Sequence, residues 1–356
     1  MEYPLGQRLR ELPGPVMLTG HTGFKGTWMT FLLENLGVPV IGYSLPPEKD
    51  SLFHRSNRTG AIPEVFADIR DYNSLEKFID EHKPSTIVHM AAQPLVLKSY
   101  ETPRETFDVN VMGTVNVLDI AFKKGYIQTI VVVTTDKVYR NNYSGRAFVE
   151  TDALEGNDPY SASKVGTESA VKAWQKISET SGGPIVISVR AGNVIGGGDW
   201  AENRLIPDLI RGFASSEQTL IRNPNSIRPW QHVLDPLCGY VLFLEAVLRN
   251  SKLRHCNFGP HEEQLTVLEV ANLAAAEWGA IVPEFKNTSS NVDFLEAPIL
   301  LLDSQKALSE LAWMPRLSAT QAISSSVQWW KAVLMDNANP FEMSMIEIKE
   351  YLSKLR

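Results

Sequence analysis

The chain is poor in cysteine. It has two in 356 residues, Cys238 and Cys256, and they form no Cys-x-x-Cys unit. A disulfide-built scaffold is excluded, and both thiols are expected to be buried as small apolar groups in a reducing compartment. Histidine is also sparse: the seven residues are scattered with no His-x-x-x-His pair, so no metal site is expected. No apolar run approaches the ~18 residues that a membrane-spanning helix needs. Excess positive charge is missing as well. Lys and Arg total 34 against 41 Asp and Glu, giving a net charge of −7. That balance argues against a nucleic-acid partner. Residues Met1-Glu2-Tyr3-Pro4 lack the basic segment and apolar core of a secretory leader, so a cytoplasmic location is expected. Internal repeats and low-complexity tracts are absent. What remains is 44 % apolar and 21 % charged, the composition of a soluble globular protein with one large domain or two.

Pro15-Val16-Met17-Leu18-Thr19 predicts a short buried strand, followed at once by Gly20-His21-Thr22-Gly23-Phe24-Lys25-Gly26 and then by Trp28, Phe31, Leu32 and Leu36 at helical spacing. Strand, glycine loop and helix in that order are the setting of a dinucleotide fingerprint. Here the spacing is G-x-x-G-x-x-G. Gly20 makes the tight turn, Gly23 admits the pyrophosphate to the backbone, and Gly26 lets helix and strand close up. Further strands are predicted at 38–43, 64–67, 85–90, 130–134 and 184–191, alternating with helices that include 105–123 and 159–180. Such alternation implies βαβ units and a parallel sheet. The fold class is therefore α/β, a doubly wound, Rossmann-like parallel sheet over about residues 1–191. A smaller C-terminal α+β substrate-binding part is expected over 192–356, where helices are predicted near 235–249, 266–278 and 318–334, with an amphipathic helix at the end.

Candidate chemistry gathers between Thr134 and Lys164. Thr134-Thr135-Asp136-Lys137 follows the apolar run Ile130–Val133, and Tyr160-Ser161-Ala162-Ser163-Lys164 opens a helix. Positions four apart share a helix face, so Lys164 is expected beside the Tyr160 hydroxyl. A free tyrosine titrates near ~10, and a neighbouring ammonium lowers that value. Asp68 is a candidate for the adenine amino group, or equally one of the acidic residues capping the next helix. The second strand ends without the usual ribose-binding carboxylate, and without an arginine for a 2′-phosphate; NAD is favoured and NADP is left open. Ala91-Ala92-Gln93 at the fourth strand's end leave room for a ligand. Asn110, among apolar neighbours, is as well suited to structural bridging as to catalysis. Beyond Gly192, arginines in Pro/Asn-rich loops (Arg204, Arg222, Arg228) suit phosphate oxygens.

Taken together, Gly20 to Gly26, Asp68-Ile69 and the Tyr160/Lys164 pair resemble the extended short-chain dehydrogenase/reductase family. The likeness runs over nearly the whole chain. Longer stretches narrow it: Ala91-Ala92-Gln93-Pro94-Leu95-Val96, Asn110-Val111-Met112-Gly113-Thr114, Arg190 to Trp200 and Asn223 to His232. These look like the nucleotide-sugar 4,6-dehydratase group, in its branch acting on CDP-glucose. The resemblance implies Thr134, Asp136, Lys137, Tyr160 and Lys164 as the catalytic set. It implies Gly20, Thr22, Gly23, Phe24, Gly26, Asp68, Ile69, Ala91, Ala92, Gln93, Tyr160 and Lys164 around NAD, and Asn193, Arg204, Arg228 and Asn257 around the nucleotide sugar. By the same resemblance Tyr160 takes the sugar O4 proton, Thr134 bonds to O4 and to the Tyr160 hydroxyl, Lys164 contacts the nicotinamide ribose, and Asp136 is the acid. Lys137 stands where related dehydratases carry a glutamate base; a neutral amine base or a cation stabilising the enolate are both open. A homodimer through the two long helices is expected from the family. Two rival readings stay open: another nucleotide-sugar epimerase or dehydratase, and an NAD-sensing protein without turnover.

Overall fold

The computed structural model describes residues 4–141, 144–217, 219, 221, 223–260, 264–281 and 299–355. Residues 1–3 and Arg222, which enter the expectations above, lie outside the described residues. Strands β1 (Val16–Thr19), β2 (Val40–Ser44), β3 (Glu64–Phe66), β4 (Thr86–His89), β5 (Thr129–Val133) and β6 (Ile185–Ala191) come first. The short β7 (Val194–Ile195), β8 (Ile227–Arg228) and β9 (Gln231–His232) follow, then β10 (His255–Phe258) and β11 (Leu265–Thr266). The helices of the first half are α1 (Gln7–Arg10), α2 (Phe24–Asn35), α3 (Leu52–Arg55), α4 (Tyr72–His82), α5 (Val96–Glu101), α6 (Pro103–Phe107), α7 (Gly113–Phe122) and α8 (Pro159–Ser181). Those of the second are α9 (Leu205–Ser215), α10 (Leu234–Leu248), α11 (Val267–Trp278), α12 (Gln305–Leu311), α13 (Ala319–Met335) and α14 (Pro340–Ser353).

Seven strands pair in the order β10-β6-β5-β4-β1-β2-β3, all parallel. Every residue of β1, β2 and β4 is buried, as befits strands covered on both faces by helices. The chain reverses direction across the sheet between β1 and β4. That switch point opens a crevice at the strands' C-terminal ends, where ligands bind in folds of this kind. One core packs α2, α10, α13 and α14 on the first face; the other packs Met17, Ile41, Val117, Val132 and Val171 under α4, α7 and α8.

Two differences from expectation have plain causes. The helix predicted over 105–123 is interrupted: α6 and α7 are joined by a π-turn at Asp108–Met112. β10 was unpredicted. Its four residues, His255-Cys256-Asn257-Phe258, carry no alternation, yet they pair in register with Ser188 to Ala191 and complete the sheet from beyond residue 192. α8 is better specified. Asp158 and Ser161 form a reciprocal capping box and Pro159 takes the first helical position, so the helix starts one residue before Tyr160.

Candidate active site

The glycine loop is built for close backbone approach. Gly20 has φ +73°, and a Cβ there would lie 2.8 Å from Ala91 N. A Cβ on Gly26 would stand 2.0 Å from the Gly20 carbonyl oxygen, so α2 could not close on the loop with any other residue. Gly23 is exposed and caps α2 without a side-chain bond, which leaves first-turn N–H groups facing the crevice. These features fit a dinucleotide pyrophosphate. Around them Thr22 Oγ1 bonds Ser44 Oγ at 2.7 Å and Leu45 O at 3.0 Å, tying the loop to the end of β2. Phe24 packs toward Gly196 and Val233. His21 lies buried with Nε2 2.7 Å from Glu64 Oε2, filling the space a side chain on Gly42 would need. Asp68 and Ile69 differ in what they offer. Asp68 is clasped by Arg70, whose Nε and Nη2 reach it at 3.0 and 2.6 Å and hold its carboxyl below the usual range. Asp71, not Asp68, caps α4. The Ile69 side chain is buried against Gly113.

At the centre of the sheet's edge, Asp136, Tyr160, Lys164, Lys25 and Arg204 form one electrostatically coupled group. Burial pushes the Tyr160 phenol up to about 12; the nearby Thr135 hydroxyl and Arg204 oppose the rise, while Asp136 adds to it. Burial also pulls Lys164 down to about 8, with Glu168 opposing. Its Nζ donates to the Val133 carbonyl at 3.2 Å. Asp136 is 1 % exposed and lies in a 3-10 turn, Asp136–Val138, capped by Thr135. Its Oδ1 accepts the Thr135 hydroxyl at 2.9 Å, and Oδ2 has no partner among the described residues. A Cβ on Gly192 would be 3.2 Å from that Oδ2 and 2.3 Å from Pro229, so the Arg228-Pro229 loop closes directly over the acid. Lys137 is half-buried beside it. Lys25, missed in the sequence, points the same way. Its Nζ donates to Tyr240 Oη at 3.1 Å, and burial, then repulsion from Lys164 and Arg204, pulls it down to about 7.

Three expected roles do not survive the geometry. Thr134 does not reach Tyr160. Its hydroxyl donates to Glu168 Oε1 at 2.6 Å, inside a buried pair in which Arg190 Nε and Nη2 hold the two Glu168 oxygens at 2.8 and 2.9 Å. Successive residues of an extended chain face opposite ways, so the threonine turned to Tyr160 is Thr135. Asn257 is 0 % exposed. Its Oδ1 accepts from Tyr139 Oη at 2.7 Å and its Nδ2 donates to the Phe148 and Asp303 carbonyls, which leaves nothing for a nucleotide sugar. The Gln93 amide is likewise consumed, by Leu95 and Thr106, so it braces the loop instead of touching a cofactor. Ala91 and Ala92 stay half-exposed at the crevice. Asn110 is a bridge: it takes the Gln93 N–H at 2.8 Å and donates to Ser163 Oγ at 2.8 Å.

Asn193, Arg204 and Arg228 come to the same edge. Gln231 N bonds the Asn193 carbonyl at 3.0 Å, and β7 pairs with β9, which places Asn193 beside the Arg228 loop. Arg204 Nη1 is held by Asp199 at 3.1 and 3.0 Å, which raises the guanidinium further, and it faces Tyr160. Arg228 is 4 % exposed at the start of Arg228-Pro229-Trp230.

Comparison with known proteins agrees with this geometry. The model of the NAD dependent epimerase/dehydratase family matches residues 16–259. The chain is 40 % identical to a CDP-glucose 4,6-dehydratase of Salmonella typhimurium, over 95 % of this chain and 96 % of that one. It is 26 % identical to a dTDP-glucose 4,6-dehydratase of Haemophilus influenzae, over 88 % and 97 %. Among solved structures, a dTDP-glucose 4,6-dehydratase from Bacillus anthracis in complex with NAD superposes with a TM-score of 0.76 at 22 % identity, covering 92 % of this chain and 99 % of that one. A UDP-glucose 4-epimerase from Thermotoga maritima with UDP-glucose gives 0.77 at 21 %, covering 90 % and 99 %. The family model covers more than half of the chain, and the chain belongs to the NAD dependent epimerase/dehydratase family.

Proposed function

We infer that the chain is an NAD-dependent hydro-lyase that converts CDP-D-glucose to CDP-4-dehydro-6-deoxy-D-glucose and water. The observation that carries the reading is the 40 % identity to a CDP-glucose 4,6-dehydratase along nearly the full length of both chains. Bound along the glycine loop, NAD supplies reversible hydride acceptance, from C4 of the sugar and back to C6. The protein's part is to move protons and hold the sugar. Tyr160 takes the O4 proton, with the Thr135 hydroxyl close to its phenol. The resulting C4 ketone acidifies C5–H; a base removes that proton as the C6 hydroxyl departs, and a proton is returned to C5 when C6 regains hydride. Asp136 acts as the acid toward the leaving hydroxyl, a role supported by its buried Oδ2, which has no partner among the described residues. Lys137 stands next to it in the chain, and either accepts the C5 proton itself or stabilises the enolate charge while a water or Asp136 moves the proton.

On this reading residues 192–356 mainly hold the nucleotide sugar, with Asn193, Arg204 and Arg228 turned to it. Among the described residues no helix is long and apolar enough to cross a membrane. The free, buried Cys238 and Cys256 fit a cytoplasmic enzyme. The test of the role split is Lys137→Ala. Deuterium exchange at C5 is expected to vanish while oxidation at C4, read by the nicotinamide absorbance, persists; equal loss of both would remove Lys137 from the elimination step.

A further inference from the structure

A chain of buried hydrogen bonds runs beneath the site and has no part in the proton transfers above. His89 ends β4 and is 3 % exposed. Its Nδ1 lies 2.7 Å from Thr19 Oγ1, and its Nε2 lies 3.0 Å from Thr114 Oγ1. The hydrogens can be placed by valence. Thr19 Oγ1 accepts the Ala91 backbone N–H at 3.1 Å and shares the Met90 N–H, at 3.1 Å, with the Thr19 carbonyl at 3.2 Å, so it acts as acceptor toward the backbone. Its own hydrogen therefore goes to His89 Nδ1. At the other end Thr114 gives its single hydroxyl hydrogen to the Asn110 carbonyl at 2.7 Å, so it must accept one from His89 Nε2. Both ends demand the same form of the ring, neutral with its proton on Nε2. The desolvated ring is also pulled down to about 3, so it stays neutral at working pH.

The chain continues to the catalytic helix. The Asn110 carbonyl, in the π-turn, accepts the Thr167 hydroxyl of α8 at 2.8 Å as well. Asn110 Nδ2 donates to Ser163 Oγ, and Ser163 donates to the Tyr160 carbonyl at 2.6 Å. The other end supports the Met90-Ala91 backbone, on which the Gly20 turn rests so closely that a Cβ would not fit. π-turns recur at functional sites, where they redirect backbone carbonyls.

We propose that His89 is a positioning residue for the redox step: the relay Thr19–His89–Thr114–Asn110 fixes the floor of the cofactor loop at a set distance from Tyr160. The inference rests on the dehydratase reading of the site. The ring is a rigid two-ended spacer, which Asn or Gln cannot reproduce in length. A displacement of about 1 Å between a base and its redox partner costs up to about 100-fold in rate.

The test has two arms. In ¹⁵N-histidine-labelled protein, with the His89 signals assigned by their loss in His89→Asn, the ring is expected in the Nε2–H form. The Nδ1–H form, or an imidazolium at neutral pH, overturns the relay. In the second arm, His89→Asn and Thr114→Val are expected to lower kcat about 10- to 100-fold. KM for CDP-glucose should stay within about twofold, and the isotope effect from CDP-[4-²H]glucose should grow. Thr114→Ser keeps both hydrogen bonds and is expected to restore the rate. Unchanged kcat in both variants, or no rescue by serine, overturns the proposal. Should His89→Asn not fold, the Val/Ser pair at Thr114 carries this arm alone. A wild-type protein that turns over no CDP-glucose strikes at the function, and leaves the ¹⁵N result standing by itself.

Discussion

A buried phenol held up at about 12 gives up its proton near neutrality only when positive charge is brought to it. Arg204 already pulls Tyr160 down, and Lys164 lies one turn along the same helix face. Tyr160→Phe is accordingly expected to lower kcat by about 10²- to 10⁴-fold with nucleotide-sugar binding retained, as read by steady-state rates and CDP titration. Lys164 has its own pH signature. Its pKa falls from an ordinary 10.5 to about 8 on folding, so between those values the unfolded chain binds a proton that the folded one has lost. Stability therefore rises with pH across that window. Thermal midpoints at pH 7.5, below that window, and at pH 10, near its upper end, should show the rise in the wild type and a flatter profile in Lys164→Met. At this scale the placing of Tyr160 and Lys164 on one helix was legible, because the helix period and its local cap are written in the sequence. The choice between Thr134 and Thr135 was missed, although strand alternation was available to make it. Lys25 and His21 were unreadable in their roles, because Tyr240 and Glu64, which receive them, are remote in sequence.

Among the elements, β5, β6 and α8 are locked by one buried ion pair. Glu168 would be pushed up by burial, but Arg190 and the hydroxyls of Thr134 and Ser188 outweigh that and hold it below the usual carboxylate range. Removing one partner leaves the other buried and alone. Arg190→Leu is expected to cost about 3–5 kcal/mol of stability, measured by denaturant unfolding, and Thr134→Val much less. Asn257→Ala tests the corrected assignment: destabilisation of about 1–3 kcal/mol from its orphaned partners, with KM for the nucleotide sugar unchanged. The first six strands and α8 were visible as apolar runs and a capped amphipathic helix. β10 was not, because a four-residue strand with two polar side chains is specified by its neighbour β6, not by its own pattern. The π-turn was equally hidden, since nothing in Asp108–Met112 marks the extra residue.

For the molecule as a whole, Phe107, Met112 and Ile177 stand 41–49 % exposed on α6, the π-turn and α8. These are the helices through which a homodimer is expected, and the exposed apolar groups support that reading. Met112→Glu should shift the sedimentation coefficient toward the monomer; a wild type already monomeric at micromolar concentration would remove the dimer. The architecture was largely readable from the βαβ alternation. Which residues read the nucleotide base was not, because no local pattern encodes a base. The central claim is the dehydration of one nucleotide sugar, and mass spectrometry tests it most directly. The purified protein with NAD is mixed separately with CDP-, dTDP-, UDP- and GDP-glucose. Loss of one water from CDP-glucose alone is the expected result; an unchanged mass with a new stereoisomer, or water lost from another nucleotide sugar and not from CDP-glucose, contradicts it.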